Sequence, residues 1–419
     1  MSTYLDSMHP EWMQARKDPV REQLLRRGEQ PNLDSIWSMA PPTTGDAAFD
    51  GTLIAANRER LQTFPKVDTG HPMLDLSVKT GLASIDATFQ GDHPKYGIEG
   101  YAENVHDGFP PIIISAVDAL SAWGMLERAT HLFRYWLLHF VRSDGTIAYR
   151  GTSLAELGQL LHTAVMLVQR AGTPGWWQDG FRSLDRIAQY LLALLHESET
   201  EKGDGLIAGV PEDDEKEKVG RYFHNNAWVA RGLREWASLC DQLGANPATG
   251  TDATRNAART LALDTQQAIR KCWPGDLAEW WLPPQVEPLV RPQSLTDTRE
   301  ASYTNYRYWP ELLSSDLLPP ELANRVIDAR LVAGGQFCGM TRFEDHLDDW
   351  PLVDYLYALW RLGRRWDFLL SLYGHVAYHQ AAGHLTAYEQ VSLPPGRKLA
   401  PYCLPCQLVA ARAARLLVK

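Results

Sequence analysis

Two stretches of this sequence hold side chains capable of acid–base chemistry. Residues 204–214 read Asp-Gly-Leu-Ile-Ala-Gly-Val-Pro-Glu-Asp-Asp and end in three adjacent acids, Glu212, Asp213 and Asp214. Arg221-Tyr-Phe-His-Asn-Asn-Ala-Trp228 follows closely. An acidic loop that runs straight into a helix opening on Asn225 and Asn226 can be held rigidly while facing a cavity. The second stretch, Ala387-Tyr-Glu-Gln390, sets Glu389 among aromatic neighbours. Earlier loops carry Glu99, Tyr101, His106 and Asp107, then Tyr149, and Tyr222 and His224 follow the three acids. Later loops add Trp281, Tyr303 and Tyr306, then Arg342, Asp349 and Trp350, and finally Tyr388. Acids beside aromatics suit a saccharide, whose C–H face stacks on Trp or Tyr while its hydroxyls need acceptors. Breaking a glycosidic bond requires two carboxyls flanking it, one protonated and one ionised.

Helices must position these groups. Apolar residues recur at helical spacing almost throughout, and no stretch alternates convincingly as a strand. Links such as Glu127-Arg128, Gly172-Thr173 and Gly363-Arg364-Arg365 are very short, and short links make antiparallel helix pairs. The intervening connections are long and rich in acids, aromatics and glycine. A ring of such hairpins would put every long loop on one face, where polar groups converge. The pattern predicts an all-α (α/α)6 barrel, with inner helices starting at Ile112, Ser153, Asn226, Tyr303, Pro351 and Pro401. Their returns, plus a helix over Ala47–Gln62, would form the outer ring. Residues 63–108 read as one long irregular stretch. Residues 1–45 read as an N-terminal arm with one polar helix, and 46–419 as one barrel domain. An open helical solenoid is the competing architecture.

Totals narrow the function. A formal charge of -10 over 419 residues, with no dense Lys/Arg run, argues against nucleic acid. The longest apolar run falls far short of the ~20 residues a membrane span needs. The N-terminus has no apolar signal core, and the five cysteines do not describe a disulfide framework. A cytoplasmic protein with no cofactor is expected. Cys403-Leu-Pro-Cys406 lacks the second ligand pair of a zinc site, so no metal is expected.

The acidic Gly-Leu-Ile-Ala-Gly-Val-Pro-Glu-Asp-Asp loop before Asn-Asn-Ala-Trp, within an alternating hairpin array, resembles the six-hairpin glycosidase superfamily. That group includes glucoamylases, trehalases and processing-type glucosidases. The resemblance implies a general acid in the third long loop, at Glu212 or Asp214. It implies a general base at Glu389, in a Glu-Gln pair before the last inner helix. It also implies an inverting mechanism. Loops of ordinary length fit an exo-acting pocket for a small saccharide or glycoside. Disaccharide phosphorolysis, and an epimerase, isomerase or polysaccharide lyase using Tyr and His on the same barrel, are the alternatives.

Plainer readings stand beside these. Glu212 to Asp214, continuing into Glu-Lys-Glu-Lys, could be a solvated charged loop. Asp345 to Asp349 could charge and cap the helix at Pro351. The Tyr303–Tyr308 cluster and Trp281 could simply be packing.

Overall fold

The computed structural model describes residues 64–201, 205–273, 280–380, 385–392 and 402–418. The expected arm, its polar helix and the helix over 47–62 lie outside them. Besides three short 3-10 turns, twelve helices run through the described residues. They are α1 (Pro72–Thr88), α2 (Pro110–Ala122), α3 (Leu126–Phe140), α4 (Leu154–Ala171), α5 (Trp177–Glu201), α6 (Phe223–Leu243) and α7 (Thr251–Cys272). Next comes α8, built of Arg299–Tyr303, a π-helical turn Thr304–Tyr308, and Trp309–Ser314. Then follow α9 (Pro320–Val332), α10 (Leu352–Arg361) and α11 (Arg365–Gly374, continued as a π turn His375–His379). The last, α12, comprises Leu404–Gln407 and Val409–Ala414.

The inner ring closes. Successive contacts run α2–α4, α4–α6, α6–α8, α8–α10 and α10–α12, and α12 returns to α2. That last contact excludes the open solenoid. Inner helices are apolar nearly all round: every residue of α2 up to Ser121 is buried. Outer helices such as α5 and α7 keep one polar face, as two-layer packing requires. Local signals fix the helix starts. Ser153 and Glu156 form a capping box for α4, and prolines open α1, α2 and α9.

Two expectations fail locally. The stretch 63–108 is not all irregular, because α1 forms there and packs on α12. Its buried stripe Leu74, Val78, Leu82 and Ile85 has helical spacing, but Ser77 and Gly81 between them dilute the apolar signal. The second failure is the absence of strands. A four-stranded antiparallel sheet joins β1 (Gln336–Phe337), β2 (Met340–Phe343), β3 (His346–Asp348) and β4 (Gln390–Ser392) in that order. Strands of two to four residues are too short to show a period of two.

Candidate active site

A cavity of about 120 Å³ lies where the long loops meet, at the N-terminal ends of the inner helices. The acidic loop is fastened there by the asparagines that open α6. Asn226 accepts from the Ile207 amide and donates to its carbonyl, at 2.8 and 3.0 Å. Asn225 donates to the Val210 carbonyl and accepts from the Ala155 amide of α4. Gly209 and Gly220 exchange backbone hydrogen bonds across the neck of the loop. The loop tip therefore presents its acids from a fixed frame.

The three acids differ. Glu212 is buried, and one of its oxygens, Oε1, has no partner. Burial, only partly offset by Arg307, pushes its carboxyl up to about 8. Asp213 is also buried, bound by the Tyr149 hydroxyl at 2.9 Å and the Arg150 guanidinium at 2.8 Å. Asp214 sits exposed at the lip, accepting from Tyr303.

Glu389 lines the same cavity. The Tyr96 hydroxyl donates to its Oε1 at 2.8 Å, Tyr101 is a further hydrogen-bond partner, and Oε2 has none. Burial raises its carboxyl to about 7 despite those donors. Pairing of β3 with β4 sets Asp348 opposite Gln390, which brings a second buried carboxyl beside Glu389. Burial and the Glu389 charge hold Asp348 well above the ordinary carboxylate range. Two tyrosines donate to Glu389, while the Trp350 amide and the Gln390 side chain bond Asp348, and the Glu389 charge raises Asp348 further. The charge of this pair therefore resides on Glu389, and Asp348 keeps the proton.

Of the residues expected from sequence, Tyr101, His106, Tyr149, Glu212, Asp214, Tyr303, Tyr306, Trp350 and Glu389 all border this cavity. The others do not. Asp107 is held behind it by Lys95 and His93. Tyr222 and His224 pack against Tyr308 beneath the acidic loop, and Trp281 packs on Trp309. Arg342 is buried and donates to the Gly334 carbonyl. Asp349 pins β2 to α11, accepting from the Thr341 amide at 2.8 Å and pairing with His375 at 3.0 Å. Tyr388 packs tilted against Tyr402. The Glu99 side chain lies outside the described residues.

Sequence reasoning missed Asp348, Tyr96 and Arg307 as site residues. Asp348 and Asp349 are neighbours, and neighbouring side chains at the end of a strand point opposite ways. Recognising β3 would have been the signal that separates them.

A larger cavity of about 370 Å³ is lined by residues of all six inner helices. Most of its charges satisfy one another: Asp118 binds Arg170, Arg412 and Tyr357, and Asp354 binds Ser314, while Glu311 Oε2 is left without a hydrogen-bond partner. Size favours this cavity, but chemistry favours the smaller one, where Glu212, Asp213 and Glu389 each bring an unpartnered carboxyl oxygen. Among the described residues, no group of three or more His, Cys, Asp or Glu could hold a metal ion, and no helix is long and apolar enough to cross a membrane.

No family model and no curated protein matches the sequence. Solved structures do match in three dimensions. A glycosidase determined in complex with glucose is 13% identical, with a TM-score of 0.59 over 82% of this chain and 96% of its own. The GH76 α-mannanase of Bacteroides thetaiotaomicron is 12% identical, with a TM-score of 0.52 over 81% and 93%. An unsaturated glucuronyl hydrolase specific for heparin is 12% identical, with a TM-score of 0.52 over 82% and 96%. At such identities the likeness concerns architecture, and in architecture the chain is an (α/α)6 barrel of the kind these glycosidases share.

Proposed function

We propose that this protein is a glycoside hydrolase that removes a neutral sugar from a small saccharide or glycoside. Glu212 acts as general acid and Glu389 as general base. The observation that carries the reading is topological. Glu212 precedes α6 and Glu389 precedes α12, helices three places apart in a closed ring of six, so the two loops face one another across the mouth. Each acid offers an unpartnered oxygen, and their environments push one to about 8 and the other to about 7. Glu212 thus carries a proton at neutrality while Glu389 is substantially ionised.

Glu212 would protonate the glycosidic oxygen as the bond breaks, and Glu389 would take a proton from the attacking water. The product would then have inverted configuration. A small cavity ringed by Tyr101, Tyr306 and Trp350 suits one terminal sugar, hence exo action. The charges of the lining argue against a uronate or phosphate. Five acids face two arginines, and both arginines are committed, Arg150 to Asp213 and Arg307 to Glu156, Glu212 and Glu311. A lyase or phosphorylase would need a free cation there.

The test is a panel of neutral and uronic aryl glycosides and disaccharides, with and without phosphate. Neutral glycosides should turn over by hydrolysis, and NMR of the first product should show inversion. Glu212→Gln and Glu389→Gln should each lower kcat by at least about 10²–10⁴-fold. Glu212→Gln should recover most with the best leaving group. Full activity in both variants would end the assignment.

A further inference from the structure

Arg307 sits 1% exposed in the π turn of α8, where a single guanidinium meets three buried carboxyls. Its Nη2 donates to Glu156 at 2.6 Å, Nε to Glu311 at 2.7 Å and Nη1 to Glu212 at 3.3 Å. Glu156 comes from the capping box of α4, Glu311 from the next turn of α8, and Glu212 from the acidic loop. One positive charge cannot compensate three negative ones out of contact with water. Full ionisation would leave two uncompensated charges in the interior, so protons stay bound. Burial raises Glu156 as well, but it lies closest to the arginine and accepts from the Ser153 amide, both of which favour its charged form.

We propose that Glu156 and Glu311 are positioning residues for Glu212: by occupying Arg307 they deny it full ion pairing and so keep the proton on the carboxyl that faces the cavity. The proposal rests on Glu212 being the acid. The surroundings act in the same direction. Asp213 and Asp214 lie beside Glu212, and Asp354 of α10 bears on Glu311. His224 of α6, 3.8 Å from Glu311, is held neutral by burial, and Tyr303 and Tyr308 add no cation. Glu212 and Glu311 are both raised to about 8.

Glu156→Gln tests this cleanly, because glutamine at the third helical position still completes the capping box. Freed from Glu156, Arg307 should pair with Glu212 and stabilise its charged form. The basic limb of the kcat/KM profile should then move down by about one pH unit or more. Glu311→Gln should move it the same way by less, and Arg307→Met should move it up. A purely structural role would lower activity equally at every pH. Infrared titration of the buried-carboxyl band, assigned by its loss in Glu212→Gln, reads the same shift without substrate. A Glu156→Gln band and profile superimposable on wild type would overturn the inference while leaving the hydrolase reading intact. Full activity in Glu212→Gln would instead remove the acid assignment itself.

Discussion

At the scale of single residues, the site depends on environments that separate chemically similar groups. Glu389 differs from an ordinary glutamate because Tyr96 and Tyr101 solvate its charge inside a buried wall. Tyr96→Phe removes one donor to a charged acceptor, a bond of about 1.5–3 kcal/mol. Ionised Glu389, the base proposed above, becomes harder to form, so its carboxyl rises and the acidic limb of the activity profile should move up by about one to two pH units. The basic limb, set by Glu212, should stay in place. A profile with both limbs unmoved would show that Tyr96 does not support the base. The acids of the third loop and Glu389 were legible as candidates in the sequence, because loop acids beside aromatics have few structural uses. The choice of Glu212 over Asp214 needed burial, which adjacent positions in a sequence do not reveal. Arg307 could not be read at all, since an arginine one turn into an apolar helix looks like a surface residue until its three partners come together.

At the scale of elements, the loops are only as rigid as the helices beneath them. Helices α4 and α6 cross so closely that a Cβ on Gly158 would lie 2.2 Å from the Trp228 carbonyl oxygen, and one on Gly232 would lie 2.5 Å from that of Gly158. Backbone cannot yield there as a flexible side chain would. Gly158→Ala should therefore cost about 1–3 kcal/mol, measured by urea unfolding. It should also reduce activity, because Ala155 on α4 holds Asn225, and Asn225 in turn holds the acidic loop. An unchanged unfolding midpoint would contradict this packing. From α2 onward, the order of the helical hairpins was read correctly from the alternation of short and long connections. The sheet was not, because β1 to β3 are strands of two to four residues and β4 reaches β3 only across more than forty residues of chain.

At the scale of the whole molecule, buried acids and histidines link stability to pH. Glu212, Glu311 and Glu389 have folded values of about 8, 8 and 7, above the ordinary 4.5. Across that interval the folded state holds protons the unfolded chain has released, so their contribution is complete at low pH and is lost as pH rises through the folded values. His224 and His379 are lowered by burial to about 3 and about 4, so their penalty appears as pH falls below 6.5. Together these place maximal Tm near about pH 5, with a steady decline towards pH 8. Calorimetry showing Tm flat or rising between pH 6 and 8 would refute it, and Glu212→Gln should flatten the slope. The sequence alone determined the helical hairpins, their order and the loops on which acids gather, because periodicity and connection length are local properties. Only the tertiary structure decided which acids meet and which keep a proton. Ring closure sets the third loop against the last, and the shared guanidinium and buried tyrosines that tune Glu212 and Glu389 are supplied by segments far apart in the chain.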